Sequence, residues 1–140
     1  MKKVLLLCFL SSIVCCASAN TGDKFIDALR NCSSFSDSGT ININGIDAKS
    51  EKQMLGWQGD KCIYKESLNY NGNNILTVCK FSRTQVNEIV STADAYFMSL
   101  RSSGHQPDLS SLESIQNNPV SNIMSRYLQD SSVCTMSVSE

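Results

Sequence analysis

The chain has 140 residues, 18% of them charged, a formal net charge of −1 and a pI near 5.8. That length suits one globular domain, and the near-neutral balance excludes the broad basic face that nucleic acid or an anionic membrane selects. Seven cysteines are many for so short a chain.

Lys2 and Lys3 precede an apolar run over residues 4–10, extended by Ile13 and Val14, and Ala17-Ser18-Ala19 places small residues where a signal peptidase reads. This tripartite pattern predicts a secretory signal peptide over residues 1–19 and a single mature domain over 20–140, 121 residues long. A membrane anchor needs roughly 20 apolar residues, whereas this run is shorter and carries Ser11 and Ser12. The mature chain is therefore expected to have no transmembrane segment. The two-lysine start and short core fit bacterial export, to the periplasm or the extracellular space. One alternative is a lipid-anchored envelope component, acylated at Cys15 or Cys16, although Val14 and Cys15 stand where that processing prefers Gly, Ala or Ser.

Cleavage removes Cys8, Cys15 and Cys16 and leaves Cys32, Cys62, Cys79 and Cys134. An even count in an exported domain predicts two disulfides. A metal site wants close cysteine pairs with histidines nearby; here the gaps are 30, 17 and 55 residues and the single histidine is His105. No metal or cofactor is expected. The mature chain keeps ten basic and 13 acidic residues, a net −3 that aids solubility and designates no partner.

From Asp23, the spacing of Phe25, Leu29 and Cys32, with Ile26 beside them, predicts a short helix, with Asp23 capping it or complementing its dipole. Residues 33–39 read as a polar loop. Residues 40–81 read as an antiparallel meander with strands at 40–43, 46–57, 61–70 and 75–81. Asn44-Gly45 and Asn71-Gly72 suit two-residue hairpin turns, which need positive φ at both central positions, and Gly59-Asp60 marks the turn between them. In the third strand Cys62, Tyr64, Leu68 and Tyr70 share one face and Lys61, Lys65, Ser67 and Asn69 the other, which predicts one buried and one wet side. In the second, Ile46, Ala48 and Met54 fall on one parity and Leu55 and Trp57 on the other, so a bulge is expected near Met54–Gly56, with Trp57 filling the core.

Ser82-Arg-Thr-Gln is a capping box, and Val86, Ile89, Val90, Ala93, Phe97 and Leu100 continue it as a helix of about 20 residues, near 30 Å long, that Gly104 ends. His105 to Asp108 reads as a linker. Leu109, Leu112 and Ile115 suggest one or two helical turns before Asn118 caps a last helix with Pro119 at its first position. Residues 130–138 read as an extended tail pinned by Cys134.

A two-residue turn at Asn71-Gly72 makes paired residue numbers sum to 143, so Cys62 faces Phe81 and Cys79 faces Tyr64. The two cysteines are then diagonal neighbours at about 7–8 Å, beyond the usual disulfide span of about 4.4–6.8 Å. That disfavours Cys62–Cys79 and leans to Cys32–Cys62 with Cys79–Cys134.

No catalytic kit assembles. His105 sits in a polar loop, and no Gly-x-Ser-x-Gly, phosphate loop, dinucleotide fingerprint or calcium loop occurs. None of the carboxylates lies in an apolar run, so Glu51 and Glu66 read as solvated strand residues. Asn31-Cys32-Ser33 matches a glycosylation sequon, which matters only in a eukaryotic secretory pathway. The mature chain contains 20 serines and 12 asparagines, a composition for a polar, weakly charged surface.

The expected fold is α+β: a short N-terminal helix, a four-stranded antiparallel meander, and a long helix plus one or two short C-terminal helices on one face, stapled by two disulfides. The expected role is an exported, non-catalytic binding, inhibitor or envelope adaptor module whose partner is a protein or another envelope component. The competing reading is a small secreted hydrolase with a carboxylate-based site between sheet and helices, built on Glu51 or Glu66 and His105.

Overall fold

The computed structural model describes residues 19–104 and 118–139. Most of the expected signal segment, the linker with His105 and the expected helical turns around Leu109, Leu112 and Ile115 lie outside the described residues. In chain order the elements are α1 (Ala19–Asn31), β1 (Phe35–Ile43), β2 (Ile46–Gln58), β3 (Lys61–Tyr70), β4 (Asn73–Ser82), α2 (Arg83–Ser103), α3 (Pro119–Gln129) and β5 (Cys134–Ser139). The fold is α+β, and its sheet is antiparallel throughout in the order β1-β2-β3-β4-β5.

Local chemistry places most of these boundaries. Asn44 and Gly45 have φ of 52° and 83°, and Asn71 and Gly72 have 51° and 79°, which is the geometry that lets a two-residue loop match the twist of the strands it joins. The turn at Asn71-Gly72 sets Tyr70 opposite Asn73, and the β3–β4 register follows from it: Cys62 faces Phe81 and Tyr64 faces Cys79. The bulge falls between Met54 and Gly56, where Gly56 takes φ of 91°. Ser82 and Gln85 form the reciprocal capping box at the start of α2, and Gly104 closes its other end in the left-handed region. Asn118 accepts the Val120 N–H at 2.8 Å and caps α3, with Pro119 as its first residue.

Three expectations are corrected. The sheet has five strands, not four, because the C-terminal tail pairs with β4 from Asn74↔Ser139 to Cys79↔Cys134. The polar segment read as a loop over residues 33–39 already belongs to β1 from Phe35. Its pairing with β2, from Phe35↔Met54 to Ile43↔Ile46, supplies the ladder bonds that compensate for a strand poor in apolar residues. Asp23 lies inside α1, which starts at Ala19, rather than at its N-cap.

The three helices of the described residues pack on one face of the sheet. Phe25, Ile26 and Leu29 of α1, Val86, Ile89 and Ala93 of α2, and Val120, Met124 and Tyr127 of α3 close over Met54, Tyr64, Cys79 and Phe81. Phe25 meets Phe35 and Tyr64 edge-on at 6.1 and 5.4 Å, a favoured aromatic arrangement. Trp57 is half-buried at the rim of this core, with the Arg83 guanidinium stacked 4.4 Å from its ring centre. The opposite face is largely exposed and mostly polar. One complete row across it runs Ser38, Glu51, Ser67, Leu76 and Ser137.

The disulfides are Cys32–Cys62 and Cys79–Cys134. The first ties the end of α1 to the start of β3, and the second joins directly opposed residues of β4 and β5. No helix among the described residues is long and apolar enough to cross a membrane.

Candidate functional site

Strand alternation brings a polar row onto the helix-bearing face, where apolar residues would be expected. Asp37, Lys52, Glu66 and Thr77 stand opposite one another on β1 to β4, with Met136 of β5 completing the row. On one side of this row lies the main core, through Met54, Tyr64 and Cys79. On the other lies a smaller apolar cluster of Ala48, Leu68 and Ile75, flanked by Ile43 and Tyr70. The row thus separates two hydrophobic clusters on the same face.

Its central members are deeply buried: Glu66 is 2% exposed, Lys52 5% and Thr77 0%. A buried charge is tolerated only when it is paired and hydrogen-bonded. The Tyr64 hydroxyl donates to Glu66 Oε2 at 2.9 Å, and the Ser50 hydroxyl approaches Glu66 Oε1 at 3.4 Å. Both carboxylate oxygens therefore face a donor, and Lys52 is the cross-strand neighbour. Such an arrangement fixes the orientation of the carboxylate, with one protein donor at each oxygen.

The expectation that Glu66 is solvated is corrected. Position 66 shares parity with Cys62, Tyr64 and Leu68, so alternation alone assigns it to the buried face. Lys52 shares parity with Ala48 and Met54 in the same way, and Thr77 with Ile75 and Cys79. Residue type masked what position declared. Glu51, by contrast, is exposed on the other face opposite Ser67. The sheet separates Glu51 from Glu66, and His105 lies outside the described residues. Among the described residues no group of three or more His, Cys, Asp or Glu side chains could hold a metal ion.

Thr77 Oγ1 is buried with no hydrogen-bond partner among the described residues. An unsatisfied buried hydroxyl is destabilising, whereas an apolar isostere of the same shape is not. Thr77→Val is therefore expected to leave stability unchanged or raise it by about 1 kcal/mol, read as a higher urea midpoint with an unchanged slope.

A second set of titratable groups joins the helices. Arg30 of α1 forms a bidentate pair with Asp94 of α2, Nη1 to Oδ2 and Nη2 to Oδ1, each at 2.8 Å. Glu88 of α2 accepts from the Tyr127 hydroxyl and the Arg126 guanidinium of α3. The Tyr127 hydroxyl first, and Arg126 with it, hold the Glu88 carboxyl below its ordinary pKa, and Arg30 does the same for Asp94. In the turn before β5, the Ser132 hydroxyl and N–H depress Asp130. A depressed folded-state pKa means that the unfolded chain binds more protons in the acid range. The stabilisation from these carboxylates is complete above the unfolded carboxylate range near pH 4 and is lost as pH falls through the folded values. Tm should therefore be flat near neutrality and drop on acidification. Asp94→Asn should lower the neutral plateau slightly and make the acid drop shallower, by thermal melts at a series of pH values. These pairs are exposed enough for salt to weaken them.

Comparison with protein-family models, with curated proteins and with solved structures finds no match for this chain.

Proposed function

We propose that this chain is an exported, non-catalytic binding module of the inhibitor or envelope adaptor kind, whose partner is a protein or another envelope component. In this reading residues 1–19 are removed on export and residues 20–140 act in the bacterial periplasm or the extracellular space. The observation that carries it is the pair of complete disulfides, Cys32–Cys62 and Cys79–Cys134. Bridges that close long loops in a small domain belong to oxidising compartments. The Glu66 environment supports the non-catalytic part, because both carboxylate oxygens face donors inside the protein and Glu51 lies on the opposite face of the sheet.

The test begins with the chain expressed behind its own N-terminal segment in a bacterium. The exported product should start at an unmodified Asn20 and show no free thiol by intact mass under non-reducing conditions. A product that retains residues 1–19, or one acylated at Cys15 or Cys16, rejects this reading, the latter in favour of the lipid-anchored alternative. The oxidised domain, immobilised, should then retain an envelope component that the reduced domain does not. Hydrolysis of a glycoside or ester panel that disappears in Glu66→Gln would overturn the non-catalytic assignment.

A further inference from the structure

We propose that the free edge of β5 is a homodimer interface, in which two copies pair antiparallel about Ser137 and join their sheets edge to edge. β5 is the last strand of the sheet, and β4 is its only strand partner among the described residues. An edge of unpaired backbone donors and acceptors is a template for a further strand.

The direction of these groups follows from the ladder. The Lys80 N–H donates to the Val133 carbonyl at 2.9 Å, and hydrogen-bonded pairs alternate with non-hydrogen-bonded ones along an antiparallel ladder. With Cys79 opposite Cys134, residues 133, 135, 137 and 139 address β4. The backbone groups of Cys134, Met136 and Val138 point to the open edge. The Cys134 N–H is already taken by the Asp130 carbonyl, which leaves Met136 and Val138 as the presenting residues.

Antiparallel pairing centred on Ser137 sets Met136 against Val138 of the second copy, and Val138 against Met136. Each residue then meets one whose donor and acceptor also point across the edge, so the outward groups of Met136 and Val138 are satisfied together. The same register joins their side chains. Met136 is 44% exposed and Val138 60%, both on the helix-bearing face, and each apolar side chain meets the other type. β5 carries no charged residue, so no like charges oppose one another. The other edge differs: β1 places Asp37 on the helix-bearing face, and an inward-facing charge is one device that discourages edge pairing. A single self-complementary strand gives a closed two-fold dimer, which favours a second copy over a foreign strand.

Sedimentation equilibrium of the oxidised chain up to ~1 mM, the weak end of specific association, should show the weight-average mass rising towards twice the monomer. Met136→Lys with Val138→Lys puts lysine opposite lysine in both cross-copy pairs and should remain monomeric. Met136→Lys with Val138→Glu makes both pairs complementary and should dimerise. Both positions are exposed, and matching circular dichroism spectra would exclude unfolding as the cause. The register has its own readout. Ser137 would oppose Ser137 at a Cα separation of about 4.5 Å, within disulfide reach, so Ser137→Cys should give a covalent dimer on oxidation while Thr135→Cys, opposite Ser139, should not. A wild-type chain that stays monomeric throughout, a double-lysine variant that associates like wild type, or equal cross-linking at 135 and 137 would each overturn the proposal.

Discussion

Removing either disulfide should lower the stability of the domain by about 3.5–4.5 kcal/mol, as estimated from the loop each one closes. The bridged cysteines are separated by 30 and 55 residues, and in the chain-entropy account the longer loop constrains the unfolded state slightly more. For a domain whose total stability is about 5–15 kcal/mol, loss of one bridge is severe and reduction of both should unfold much of the population. The two losses should differ in place. In Cys32→Ala with Cys62→Ala, α1 keeps its buried Phe25, Ile26 and Leu29 and should stay docked. In Cys79→Ala with Cys134→Ala, β5 loses its covalent tie, and its remaining residues from Thr135 to Ser139 are all exposed. That strand should detach before the domain unfolds. Urea unfolding gives the global loss, and amide hydrogen exchange should show protection vanishing in β5 in the second pair of substitutions only. A loss below about 1 kcal/mol in both would mean that the bridges constrain little.

Glu66→Ala should destabilise the domain by about 3–5 kcal/mol, the range for removing one member of a buried charge cluster. The substitution removes one of the two carboxylates that stand opposite Lys52, leaving Asp37 on the other side, and strips the acceptor from the hydroxyls of Tyr64 and Ser50. Glu66→Gln keeps the shape and an acceptor, so it should lose less. Lys52→Met combined with Glu66→Leu removes the two buried charges, leaves the half-buried Asp37, and should recover part of the loss, because an apolar pair of similar volume needs no desolvation. The cycle of single and double substitutions, followed by urea unfolding, isolates the coupling between the two positions. Near-additivity would show that Lys52 and Glu66 are buried side by side without depending on one another.

These effects originate in a row of residues that strand parity reveals and residue type conceals. In β3 the alternation around Cys62, Tyr64 and Leu68 is legible, and Glu66 lies on the same parity. A lone carboxylate in that pattern resembles a surface residue, because its burial rests on Tyr64 and Ser50 and on a lysine from another strand. β1 was illegible for a related reason. Ser36 and Ser38 face solvent while Asp37 and Gly39 occupy the inner positions, so there is little apolar contrast to read. β5 was legible as an extended tail but not as a strand, since its pairing depends on β4 more than 50 residues earlier.

The features that a few neighbouring residues control are legible in the sequence alone. The Asn-Gly turns and hence the β3–β4 register, the capping box of α2, the Asn118-Pro119 start of α3 and the glycine at the bulge all arise within one turn or one hairpin. The hairpin register also separated Cys62 from Cys79 and so directed the bridges outward to Cys32 and Cys134. The fifth strand, the length of β1 and the partners that make the burial of Lys52 and Glu66 tolerable come from the assembled fold. Each of these depends on partners far along the chain. Ladder bonds and the desolvation of a charge come into being when those partners meet, and no local signal in the sequence carries them.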